Sequence, residues 1–111
     1  MAITSGVTDV TSTGGDMSLF TYQPEGDAKR PAVIVIQEIF GVNSNIKGIA
    51  QRYAEEGYFA VAPDMFHRQG RHLDVPYAEM DRAVGLRGTM SNEDILADLN
   101  ATMDFLRTNP R

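Results

Sequence analysis

Two short apolar runs, Pro31-Ala-Val-Ile-Val-Ile36 and Tyr58-Phe-Ala-Val-Ala62, restrict the possible folds more than anything else in the sequence. The first is apolar and β-branched at successive positions, so neither of its faces can be left in water. Strands buried on both faces belong to parallel sheets covered by helices. Pro31 is tolerated there because it stands first in the run. Between the two runs, Ile46, Ile49, Ala50, Tyr53 and Ala54 recur at helical spacing and draw one apolar stripe. Asn43, Ser44 and Asn45 offer N-caps before that stripe, and Gly57 offers a stop after it. Strand, helix and strand within about thirty residues make a βαβ unit.

The flanks extend this unit. Ile3 to Ser12 and Met17 to Tyr22, around Gly14-Gly15, read as a hairpin of two strands. Residues 24–30 are a polar loop, residues 65–76 are irregular, and residues 77–87 carry a weak helical pattern. Ser91 with Asp94 three positions on opens a further helix. Its expected buried stripe is Ile95, Leu96, Leu99, Met103 and Leu106, and Asn109-Pro110 ends it. The order predicts an α/β class: a strand hairpin, then a parallel βαβ with helices on the sheet faces. A helix on a parallel sheet normally leads into another strand, and none follows among these 111 residues.

Composition removes several function classes. The net charge is −5 and the isoelectric point is near 4.8, whereas a nucleic-acid module needs a basic face. No apolar stretch approaches the ~20 residues of a membrane span, and no signal peptide is visible, so a cytoplasmic protein is expected. There is no cysteine, hence no disulfide, no thiolate ligand for zinc and no thiol nucleophile. No G-x-G-x-x-G, phosphate loop or G-x-S-x-G elbow is present.

Ligands in open parallel sheets bind at the carboxyl ends of the strands. Glu38 and Asp64 follow the two runs at such ends. Glu38 lies among Ile36, Ile39 and Phe40, where burying its charge would be costly without a partner. It reads either as a functional group or as a strand-end carboxylate that is solvated or caps nearby backbone. Asp64, after Pro63, reads as a turn or helix-start residue, and Ser44 as a helix cap. His67 and His72 fit no common metal spacing and read as loop residues. Arg68, Arg71, Arg82 and Arg87 either meet an anionic ligand or form a solvated face with Asp74, Glu79 and Asp81.

The segment Gln37-Glu-Ile-Phe-Gly-Val-Asn43, with Gly57-Tyr58 and Val61-Ala-Pro-Asp64, resembles the dienelactone hydrolase (carboxymethylenebutenolidase) family of α/β-hydrolases. The resemblance runs from residue 15 to residue 108 and loosens after Gln69. It implies a Cys-Asp-His triad that opens a small-molecule ester or lactone through an acyl-enzyme, without a cofactor or metal. It implies that Glu38 helps to generate the nucleophile, that the Ile39 backbone N–H is an oxyanion-hole donor, and that Arg82 meets a substrate carboxylate. In that family's fold the nucleophile strand follows the last helix seen here and pairs with the strand at Ala32–Gln37. Residues 1–111 are therefore expected to be the N-terminal portion of a single α/β-hydrolase domain, inactive alone, with the Ala32–Gln37 strand at a sheet edge. A homodimer or a complementing C-terminal fragment is the partner such an edge would seek. The alternative is a non-enzymatic α/β module that self-associates through the edge. A nucleotide-binding βαβ domain is the weakest reading, since its glycine fingerprint is missing.

Overall fold

The computed structural model describes residues 2–26 and 29–108. Strands β1 (Ile3–Ser12) and β2 (Gly15–Pro24) form an antiparallel hairpin, with Ser12 opposite Gly15. The two-residue turn between them is Thr13-Gly14, and Gly14 takes φ 87°, which an L side chain rarely adopts. Next come β3 (Ala32–Ile34), α1 (Ser44–Glu55), β4 (Phe59–Pro63), α2 (Met80–Gly88) and α3 (Asn92–Thr108). The sheet order is β1-β2-β4-β3, with β4 antiparallel to β2 and parallel to β3. The βαβ unit and the edge position of its first strand are therefore both present.

Alternation along β4 builds two cores. Ala60 and Ala62 face α1, where they meet Phe20, Val35, Ile46 and Ala50. Phe59 and Val61 face the other side with Met17 and Leu19, against Ala101, Phe105 and Leu106 of α3. Asn43 caps α1, its side chain accepting from the Ile46 N–H at 3.1 Å. Tyr53, expected in the buried stripe of α1, is 42% exposed, and its ring instead meets Tyr58 edge-on.

Two expectations need correction. The strand read over Ala32–Gln37 pairs only as far as Ile34, with one more hydrogen bond from the Val35 N–H to the Val61 carbonyl at 2.8 Å. The next rung would need an N–H from position 63, and Pro63 has none. Beyond it the chain leaves the sheet, and Ile36 is 49% exposed. The buried face of α3 matches the predicted stripe only in part. Ile95, Leu99 and Leu106 are half-buried, but Leu96 and Met103 are exposed, and Asp98 and Thr102 are buried with Ala101 and Phe105 half-buried beside them. Polar groups from distant segments satisfy Asp98, so its burial carries no orphaned charge. The Ser91 hydroxyl does cap this helix, accepting from the Asp94 N–H at 3.0 Å, while the Asn109-Pro110 stop lies outside the described residues.

Candidate active site

Where β3 leaves the sheet, Glu38 to Gly41 form a tight turn closed by the Gly41 N–H donating to the Glu38 carbonyl at 3.1 Å. Three ties fix it. The Met65 N–H donates to Gln37 Oε1 at 2.8 Å, joining the turn to the carboxyl end of β4. The Val75 N–H donates to the Phe40 carbonyl at 2.9 Å, and Gly41 bridges to Asp74. Ile39 packs on a small apolar cluster of Phe40, Val75 and Ala83. Gly41 has φ 90°, and a Cβ there would collide with the Leu73 carbonyl, so both its conformation and its surroundings demand glycine.

This geometry leaves the Ile39 N–H rigidly held and without a hydrogen-bond partner among the described residues. A groove of about 280 Å³ opens beside it, lined by Ile36, Gln37, Glu38, Ile39, Met65 and Arg87 together with Met90 and Ile95. The Glu38 side chain is exposed, so the desolvation cost expected from its apolar neighbours does not arise. Its Oε1 accepts from Asn45 Nδ2 at 3.1 Å, which orients the carboxylate from the first turn of α1. Glu38, expected at a strand end, and Ile39, singled out by the resemblance, thus share one turn. The clamp of Gln37 on Met65, spanning 28 positions, and the contact from Asn45 were not expected from the sequence.

The arginines separate. Arg82 is exposed on α2 and reaches Glu79 at 3.5 Å, one of the solvated pairs anticipated. Arg87, one turn further on, lines the groove. Arg68 and Arg71 find other partners. Arg71 pairs with Asp9 of β1 at 3.0 Å. Arg68 clasps the fully buried Asp98 with both terminal nitrogens, at 2.7 and 3.0 Å. Ser12 and His67 Nε2 complete the shell around Asp98 at 2.6 and 3.0 Å. Burial pushes the Asp98 carboxyl up, but hydrogen bonds from Arg68, Ser12 and His67 outweigh it and hold it below the usual carboxylate range. This cluster joins the hairpin turn, the β4 exit and α3. His67 is therefore a tie within the fold.

A second cluster brings a serine, a histidine and carboxylates together. His72 Nε2 lies 2.8 Å from Ser18 Oγ, and Ser18 donates its hydroxyl to Asp9 Oδ1 at 2.7 Å. The arrangement is not a nucleophile and its base. The single serine hydrogen goes to a carboxylate, so the imidazole Nε2 carries the hydrogen it shares with Ser18, and Ser18 is only 1% exposed. Asp64, buried just after β4, accepts from the His72 N–H at 2.8 Å, and burial raises its carboxyl above the usual range. Among the described residues no group of His, Cys, Asp and Glu side chains is placed to hold a metal ion, and no helix is long and apolar enough to cross a membrane.

Comparison with known proteins agrees with this geometry. Residues 17–111 match the model of the dienelactone hydrolase family. A provisionally named carboxymethylenebutenolidase from Salmonella typhi is 37% identical over 110 residues, covering 97% of this chain. Another, from Synechocystis, is 41% identical over 90 residues and 79% of this chain. The chain spans 40% of the length of the first relative and 37% of the second. Among solved structures, a provisionally named dienelactone hydrolase from Klebsiella pneumoniae is 35% identical with a TM-score of 0.76, over 95% of this chain and 44% of that one. A dienelactone hydrolase-like promiscuous phosphotriesterase from metagenomic libraries is 28% identical with a TM-score of 0.77, over 99% of this chain and 45% of its own. The sheet order, the Gln37–Gly41 turn and these matches agree: the chain belongs to the dienelactone hydrolase family, with part of its α/β-hydrolase fold.

Proposed function

We propose that these residues are the N-terminal portion of a single α/β-hydrolase domain and supply one wall of a site that hydrolyses small-molecule esters or lactones through an acyl-enzyme. The observation that carries the proposal is the Ile39 N–H, without a partner among the described residues, in the turn beyond β3 and on the rim of a groove. Attack on a carbonyl carbon turns its oxygen into an oxyanion, and a rigid N–H aimed at that oxygen stabilises the transition state by roughly 3–4 kcal/mol. Glu38, beside it and oriented by Asn45, takes the proton from the nucleophile as the new bond forms. The nucleophile comes from outside these 111 residues, which hold no cysteine and whose Ser18–His72 pair is occupied by Asp9. A complementing C-terminal segment would pair with the free edge of β3 and carry it; a second copy would cover the edge but bring no nucleophile. The exposed Arg82–Glu79 contact holds Arg82 only weakly, so its guanidinium can turn toward a substrate carboxylate, with Arg87 nearer the groove. The non-enzymatic reading is not favoured by the family match.

The experiment is complementation. The chain is co-expressed with the remaining part of the Salmonella typhi relative, and hydrolysis of an activated ester and a lactone is followed. Activity should appear in the pair. It should fall by about 10²–10³ on Ile39→Pro, which deletes one oxyanion donor, and fall on Glu38→Gln. An active pair indifferent to both substitutions would overturn the assignment.

A further inference from the structure

We infer that His72 is a positioning residue that aims the Ile39 N–H, an inference that rests on the oxyanion role proposed above. His72 is the one residue other than glycine with positive φ among the described residues, at 55°. That conformation is unfavourable for a residue with a Cβ, so something must hold it. Two bonds do: its N–H donates to the buried Asp64 Oδ2 at 2.8 Å, and its imidazole Nε2 donates to the buried Ser18 Oγ at 2.8 Å. The ring also lies against Phe20, with centroids 4.9 Å apart. Both anchors belong to rigid strands or their ends, Ser18 to β2 and Asp64 to the exit of β4.

What His72 holds is the segment immediately after it. The Leu73 carbonyl lies against Gly41, Asp74 bridges to Gly41, and the Val75 N–H donates to Phe40. These three contacts form one side of the turn that carries Ile39. The left-handed residue sets the direction in which the chain enters this pairing, and the imidazole fixes that direction to the sheet. Displacement of the segment would move the Phe40 carbonyl and tilt the Ile39 peptide, which precedes it. Gln37 holds the same turn from the carboxyl end of β4, through the Met65 N–H.

Amide hydrogen exchange on the chain itself tests the inference without relying on activity. His72→Gly keeps the left-handed backbone but removes the imidazole. Ser18→Ala keeps the imidazole but removes its anchor. Both should speed exchange of the Val75 N–H by at least about tenfold and shift the Ile39 amide resonance, while the Val35 N–H, bonded to Val61 within the sheet, stays as protected as before. Val75 protection unchanged in both variants would overturn the inference, and so would equal loss at Val35 and Val75, which marks general destabilisation. In the complemented hydrolase, His72→Gly should lower kcat about tenfold or more with KM unchanged, the signature of a displaced transition-state donor. A change in KM alone would overturn the positioning role. If the exchange results hold but Ile39→Pro leaves hydrolysis intact, the proposed oxyanion role fails while the tie itself stands.

Discussion

Replacing Gly41 by alanine concentrates the structural argument in one methyl group. At φ 90° a Cβ is strained wherever it points, at about 1–2 kcal/mol. Here it also points into the Leu73 carbonyl, which is backbone and cannot rotate away. The 73–75 segment must therefore shift, and the Val75 N–H loses the Phe40 carbonyl. Val75 is buried, so the freed group adds about 1–3 kcal/mol. The combined loss is about 2–5 kcal/mol, a large part of the roughly 5–15 kcal/mol that holds such a domain. In urea, with a slope of about 1.5 kcal/mol per molar, a loss of about 3 kcal/mol lowers the midpoint by about 2 M. Gly48→Ala is the control: Gly48 lies within α1 with open space around it, and alanine there should add about 0.5–1 kcal/mol. A Gly41→Ala midpoint within about 0.5 M of the parent would refute the reasoning.

Other outcomes follow from the buried charges and the helix faces. Asp98→Ala should cost about 3–5 kcal/mol by urea unfolding, because Arg68 and His67 lose their shared acceptor in the interior. The Asp98 carboxyl is lowered in the folded state, so its stabilisation is present above the unfolded value of about 3.9 and lost as pH falls through the folded value. Acid unfolding should accordingly be less steep in Asp98→Asn. Asp64 has the opposite sign: its raised carboxyl favours the fold below its unfolded value, and this is lost as pH rises through the folded one. Asp64→Asn should thus gain stability relative to the parent as pH rises from about 4 to 7, and a constant difference would contradict that. On α3, Leu96→Ala should change stability by no more than about 0.5 kcal/mol, whereas Phe105→Ala should cost about 3. Thermal midpoints of the two variants decide which face is buried.

That last comparison marks where the sequence misleads. The stripe Ile95, Leu96, Leu99, Met103 and Leu106 is the better apolar face of α3 in isolation. The fold keeps Ile95, Leu99 and Leu106 half-buried but leaves Leu96 and Met103 outside, and buries Asp98, on which Ser12, His67 and Arg68 converge from the hairpin turn and the β4 exit. Periodicity cannot register partners 30 or 86 positions away. The βαβ unit was legible because its signals are local: two apolar runs, an Asn cap and a glycine stop. The length of β3 was not, although its cause, the missing N–H of Pro63, is written in the other strand. Glu38 and Ile39 were legible as a motif at a strand end. The reason for Gly41 lies in Leu73, and the role of His72 in Ser18 and Asp64, so neither could be read along the chain.

The proposed division of labour, an oxyanion turn within these 111 residues and a nucleophile outside them, is tested by hydrolysis of an activated ester and a lactone by the purified chain alone, with the intact mass verified at 12.2 kDa. The rate should be no different from buffer, under conditions where the complemented pair turns over. Saturable turnover by the 12.2 kDa chain, abolished by Glu38→Ala, would contradict it and place a nucleophile among the residues described.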